Sequence, residues 1–359
     1  MAAYHSDHAA YRDMLVSRER GFYNGKRTER SEKGGEGMCM IEVRKLAKAY
    51  AGVPAVREIS FDVERGTMLG FLGVNGAGKS TTIHMLSTLL KPDAGYARLC
   101  GYTVGKEDFN IRRKIGIVYQ QNCLDQFLSV KENLVCRGIL HGASKEEANA
   151  QLEHLGEILK LNKIFKKRYG TLSGGQKRKC EIAAALMHTP EILFLDEPTT
   201  GLDPASRKDV WATVRDLQKN EKLTVFLTTH YMEEAEWADN IIILDHGTIV
   251  ASGTAFELKE KYAADRLRLY FGIEKKGQIV ELLKSQKKTV RQVKEGLEVA
   301  IHTTLDAIPL LEAVRGLVDG FEVIQGNMDD VFLQAVSHDG DKGEHPASMN
   351  EGGETEWSN

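Results

Sequence analysis

Nine residues carry the clearest chemistry in this chain: Gly73-Val74-Asn75-Gly76-Ala77-Gly78-Lys79-Ser80-Thr81, of the form GxxxxGKS. Glycines let successive backbone N–H groups curl around an anion. A helix starting at the end of the loop would add its positive dipole end. Lys79 supplies a mobile charge for β- and γ-phosphates, and the Ser80 hydroxyl can ligate Mg²⁺. The pattern predicts a nucleotide triphosphate site held by Asn75, Gly76, Gly78, Lys79, Ser80 and Thr81.

Such a loop works only between a strand and a helix. The apolar run Met68–Leu72 precedes it, and Ile83, Met85, Leu86, Leu89 and Leu90 follow at helical spacing. A second apolar run, Ile192–Leu195, ends in Asp196 and Glu197. Beside a phosphate loop, a carboxylate at a strand end can hold Mg²⁺, which assigns Asp196 to the metal. Glu197 points differently and suits a general base on water. Leu172-Ser173-Gly174-Gly175-Gln176 opens a helical run; it reads as another cluster of N–H donors or as a plain N-cap.

The bulk of the chain is that of an ordinary globular protein. Its 359 residues are 42% hydrophobic and 28% charged, enough for one large domain and a smaller one. A net charge of −3 gives no bulk attraction to nucleic acid or anionic lipid. The five cysteines are scattered, without a CxxC pair, as expected of reduced thiols rather than a zinc or disulfide framework. No apolar run approaches membrane-spanning length, so service to a membrane would go through a partner.

Residues 1–37 are polar and expected to be a disordered extension, with the natural start at Met38 or Met40. An α/β core of the P-loop nucleoside-triphosphatase type is expected over 38–255, with an antiparallel layer at 41–65 and a helical subdomain at about 119–185. From 256 to 336 the order strand, helix, strand, strand, helix, strand predicts a small accessory α+β unit of ferredoxin-like type, closed by a helix from Met328 to Ala335. Residues 337–359 are rich in Gly, Glu, Ser and Asn and expected to be disordered.

The strings GVNGAGKST, LSGGQ and ILFLDEP occur in that order, and over about residues 41–255 the chain resembles the nucleotide-binding subunits of ATP-binding cassette (ABC) transporters. The resemblance implies further roles. Gln120 resembles the glutamine that touches Mg²⁺ or the attacking water, with Gln121 one residue away. His230 resembles the switch histidine on the γ-phosphate, and Tyr50 the aromatic residue that stacks on adenine. Asp203 resembles the aspartate coupling two sites across a dimer; before Pro204 it equally suits a helix N-cap. Ser173 and Gly175 would close over ATP held by a second copy, so a homodimer forms on ATP binding. Cofactors are then ATP and Mg²⁺.

Pro198–Pro204, Thr229–Ala235 and Gly326–Leu333 resemble bacterial exporter ATPases of the daunorubicin and multidrug resistance type. This implies an ATPase at the cytoplasmic face of the plasma membrane. It would drive efflux of a drug, antibiotic, lipid or polysaccharide-like substrate through a separate integral-membrane permease. The competing reading is a soluble cassette acting on ribosomes or nucleic acid. The single cassette and the absence of a long basic linker argue against it.

Overall fold

The computed structural model describes residues 39–340 except 287 and 295. The expected extension at 1–37 and most of the expected tail lie outside the described residues. The chain begins with two long antiparallel strands, β1 (Cys39–Tyr50) and β2 (Val53–Glu64). β3 (Met68–Leu72) leads into the glycine loop and α1 (Lys79–Leu86). β4 (Ala94–Leu99), β5 (Tyr102–Thr103), α2 (Asp108–Lys114) and β6 (Ile115–Val118) follow.

A helical section comes next: α3 (Val130–Leu140), α4 (Lys145–Ile158) and α5 (Gly174–Leu186). Each starts at a serine, Ser129, Ser144 or Ser173, in a reciprocal capping box with Glu132, Glu147 or Gln176. That motif satisfies two otherwise orphaned N–H groups and sets each helix start. The chain then returns through β7 (Ile192–Asp196), α6 (Pro204–Glu221), β8 (Thr224–Thr229), β9 (Asn240–Asp245) and β10 (Thr248–Gly253).

Two sheets form the body. One has the order β2-β1-β4-β5 and is antiparallel; the other runs β10-β9-β3-β8-β7-β6, parallel except for β10. Every residue of β3, β7 and β8 is buried, the unbroken apolar type of a parallel sheet covered on both faces. Between the sheets, Phe71, Phe194 and Phe226 stack side by side, with Phe226 5.2 Å from Phe71 and 5.4 Å from Phe194. The other face packs on the helical section through Leu134, Leu152 and Ile182, and on α6 through Trp211.

After β10 the chain forms α7 (Ala255–Tyr262), then β11 (Asp265–Tyr270), α8 (Lys276–Ser285), β12 (Val290–Val293), β13 (Gly296–Ile301), α9 (Ala307–Ala313) and β14 (Gly320–Ile324). These four strands make a separate antiparallel sheet, order β12-β13-β11-β14, over its own core of Leu267, Leu269, Ile279, Leu283, Val299 and Leu310. The last helix, α10 (Met328–Gly340), runs past residue 336 into the stretch expected to be disordered.

The boundary expected at 256 does not follow the packing. Leu258 of α7 and Met328, Val331 and Ala335 of α10 are buried in the core of the larger body, not in that of the small sheet. Their apolar spacing announces burial but not against which neighbour. The small sheet is thus inserted between two helices seated on the larger body. Its entry and exit touch: Gly326 packs so closely on Ala263 that a Cβ there would lie 2.7 Å from Ala263 Cβ. The Gly326 N–H donates to Asp265 Oδ1 at 3.0 Å.

Candidate functional site

The parallel strands deliver the candidate residues to one edge. In the order β3-β8-β7-β6, the four carboxyl ends carry Gly73, His230, Asp196 with Glu197, and Gln120. The register aligns them: Leu72 pairs with Thr229, Asp196 with Thr228, and Val118 with Leu195. Open parallel sheets bind ligands outside the carboxyl ends of their strands.

The glycine loop is shaped by close packing. Gly76 and Gly78 have φ of +87° and +107°, which favours glycine. A Cβ on Gly78 would lie 2.4 Å from the Ala55 carbonyl oxygen, and one on Gly73 2.4 Å from that of Leu244. Lys79 is buried, and its ammonium donates to the carbonyls of Gly73 at 2.8 Å and Val74 at 3.1 Å. Burial lowers its proton affinity, while Glu197 and Asp196 oppose that shift. Asn75, Gly76 and Ser80 are exposed and Thr81 is half-buried. Exposed Tyr50 ends β1 and pairs with Val53, two residues before the Ala55 carbonyl that abuts Gly78.

Opposite Lys79 stand the two carboxylates. Asp196 accepts a hydrogen bond from the Thr228 hydroxyl at 2.6 Å. Glu197 has φ +47°, a left-handed conformation that costs a non-glycine residue about 1–3 kcal/mol. Its N–H donates to the Thr228 carbonyl at 3.1 Å. Its Oε2 accepts from Gln120 Nε2 and from the Thr200 hydroxyl, both at 3.2 Å. His230 Nδ1 lies 3.2 Å from Glu197 Oε1, near in distance but not aligned for a hydrogen bond. Gln120, Glu197 and His230 therefore meet around one carboxylate.

Gln120 is held from behind. Arg178 of α5 donates to the carbonyls of Tyr119 at 2.7 Å and Gln120 at 3.1 Å. Glu181, one turn on, accepts from the N–H groups of Cys123 and Leu124 and from the Tyr169 hydroxyl, at 2.9, 3.1 and 2.7 Å. Burial lowers the proton affinity of the Arg178 guanidinium, and the Glu181 charge opposes it.

Ser173 and Gly175 lie elsewhere. Ser173 Oγ caps α5, accepting from the Gln176 N–H at 3.3 Å. Both residues border a cleft with Lys160, Gln176, Lys179, Ser206 and Asp209, whose lining contains no residue of 73–81. A Cβ on Gly175 would lie 2.8 Å from Ser206 Oγ. Asp203 caps α6, accepting from the Ser206 N–H at 3.0 Å, and hydrogen bonds from Ser206 hold its carboxyl below the usual range. Of the two sequence alternatives for Asp203, the N-cap is the one seen here, made to Ser206, a residue that lines the cleft.

Sequence reasoning passed over Thr228, Thr200, Arg178 and Glu181. The one available signal was polar residues inside otherwise buried runs: the Thr pair ending β8, and a charged pair one turn apart in α5.

Comparisons with known proteins identify the family to which the chain belongs. The ABC transporter family model matches residues 56–200. The chain is 39% identical over 309 residues to the daunorubicin/doxorubicin resistance ATP-binding protein DrrA of Streptomyces peucetius, covering 84% of this chain and 93% of that protein. It is 35% identical over 305 residues to the Nod factor export ATP-binding protein I of Rhizobium sp. (strain N33), covering 84% and 98%. Among solved structures, cbiO1 from Clostridium perfringens, part of the ABC transporter complex cbiONQ, superposes with a TM-score of 0.59 at 27% identity, covering 62% of this chain and 91% of that one. A dimeric post-hydrolysis state of the ATP-binding cassette MJ0796 bound to ADP and Pi gives 0.55 at 26% identity, covering 60% and 98%.

This chain belongs to the ATP-binding proteins of ABC transporters. It is an ATPase of the kind that powers transport.

Proposed function

We propose that the chain drives efflux of a drug, antibiotic, lipid or polysaccharide-like compound through a separate integral-membrane permease, as a homodimer that forms on ATP binding at the inner face of the plasma membrane. Relatives named for resistance and for export favour this reading over one on ribosomes or nucleic acid. No helix among the described residues is long and apolar enough to cross a membrane, which suits a partner that does. The observation that carries the catalytic part is the meeting of Gln120, Glu197 and His230 at the strand ends beside Lys79.

The geometry supports a role for each residue. The Lys79 ammonium is already desolvated and holds two loop carbonyls; an arriving triphosphate offers it stronger, charged acceptors. The N–H groups at the start of α1 face the same phosphates, with no acid in the first turn to compete. Tyr50 offers an exposed ring for the base. Ser80, Asp196 and Gln120 form an all-oxygen donor set that fits Mg²⁺, with Thr228 orienting Asp196. Bound there, Mg²⁺ would neutralise charge on the phosphate oxygens.

Glu197 takes the proton of an attacking water. Thr200 and Gln120 fix one of its oxygens, leaving the other toward His230. His230 then serves the terminal phosphate. The cleft at Ser173 and Gly175 presents helix-start N–H groups with no triphosphate loop of its own. That suits completion of the site by a second copy, with Asp203 at the seam.

Glu197→Gln tests the assignment. The variant should bind MgATP, elute as a dimer with ATP present, and hydrolyse it at least about 100-fold more slowly. Turnover at the wild-type rate would remove Glu197 from the chemistry.

A further inference from the structure

Behind His230 lies a second carboxylate that the mechanism above does not use. Glu234 is 2% exposed. It accepts hydrogen bonds from the Thr229 hydroxyl, at 2.6 Å, and from the Thr199 hydroxyl. The Thr229 oxygen accepts in turn from the Tyr231 N–H at 3.0 Å. Arg207 of α6 brings its Nε to 3.8 Å from Glu234 Oε1, and that buried Nε has no hydrogen-bond partner. The Arg207 guanidinium lies over the Tyr231 ring at 4.3 Å, and the Tyr231 ring lies 4.1 Å from the His230 ring.

These contacts join two loops that approach the phosphate site from different strands. Thr229 is the last residue of β8, directly before His230. Thr199 follows β7, and its neighbour Thr200 donates to Glu197. A carboxylate is acceptor-only, so it can take both hydroxyl protons at once. An amide at that position has one acceptor oxygen for two donors. Arg207 lies over the Tyr231 ring, which leans against the His230 ring at an interplanar angle of 38°, and Arg207 is itself held by the same carboxylate's charge.

We propose that Glu234 is a positioning residue for hydrolysis: through Thr199 and Thr229 it locks the loop after Glu197 to the loop bearing His230, and through Arg207 and Tyr231 it sets the plane of the His230 ring. It touches no substrate atom. The proposal rests on the reading that Glu197 and His230 act on ATP.

Steady-state ATPase kinetics on the full chain, with Glu234→Gln, His230→Ala and the double variant, test it. Glu234→Gln should lower kcat by roughly 10- to 100-fold with KM for MgATP within about threefold, because misplacement taxes the transition state rather than binding. In the His230→Ala background the same change should cost clearly less, no more than about fivefold, since only the loop after Glu197 is left to misplace. Thr199→Val, which removes one hydroxyl at nearly constant volume, should repeat the pattern more weakly and stands in if Glu234→Gln does not fold. Equal fold losses in both backgrounds, or an unchanged kcat, would overturn the proposal while leaving the site reading intact. A His230→Ala enzyme at the wild-type rate would overturn the site reading and the proposal together.

Discussion

His188 offers a prediction whose size can be worked from its surroundings. Its ring closes the carboxyl end of α5 and stacks on His141, with centroids 4.0 Å apart and planes within 7°. His188 Nε2 lies 3.0 Å from the Ile115 carbonyl oxygen, so it must be the protonated nitrogen. Nδ1 is buried without a partner, as a bare acceptor can be at modest cost. A second proton on Nδ1 would have no acceptor, and the neighbouring charges that act on the two rings, Arg137 on His141 and His141 on His188, both disfavour it. Burial first, then His141, depresses His188 from its ordinary 6.5 to about 4. At 1.36 kcal/mol per factor of ten in proton affinity, that is about 3 kcal/mol.

The direction follows from proton counting. Above about pH 6.5 the ring is neutral in both states and contributes nothing to the pH dependence. Below it the unfolded chain takes a proton that the native chain refuses, so stability falls with pH and levels off near pH 4. Between pH 7.5 and 5 the loss should be about 2 kcal/mol relative to His188→Gln, which cannot titrate. Urea unfolding of both proteins at the two pH values, followed through buried Trp211, measures it. Parallel curves would refute the reasoning.

Two further outcomes are expected. Lys79→Ala should abolish tight MgATP binding, read by fluorescent-nucleotide titration; retained affinity would undo the phosphate-loop assignment. Glu181→Ala strands the buried donors of Leu124 and Tyr169 and the part-buried N–H of Cys123, and should destabilise the protein by about 3 kcal/mol, whereas Glu181→Gln, which keeps an acceptor oxygen, should cost about half as much. Denaturant midpoints check this, and an alanine variant within about 0.5 kcal/mol of wild type would contradict it.

Much of this was legible along the chain because local chemistry announces itself. Met68–Leu72 reads as a strand from five apolar residues and is one, and the loop and helix after it follow from glycine and apolar spacing. What no local pattern carries is neighbourhood. Nothing in Thr224–Thr229 says that it lies between β3 and β7, yet that placement brings His230 to Glu197. Thr228 and Glu234 look like ordinary polar residues until the sheet registers Thr228 against Asp196 and the loop packing brings Glu234 to Thr199. The helix at 328–340 shows the same gap: its buried face was readable, but its partner across about 70 residues of chain was not.

The contact of Ala263 with Gly326 bears on how the small sheet can be moved or removed. Where both connections meet at one point, the unit between them hangs from a single joint made of two chain segments. A side chain at 326 would collide with the opposite strand of that joint, which explains the glycine. The same adjacency makes the unit separable by a splice from 263 to 327, leaving the final helix in its seat. Cutting the chain after 262 would instead strip Met328, Val331 and Ala335 from the body and leave a greasy scar where they had been.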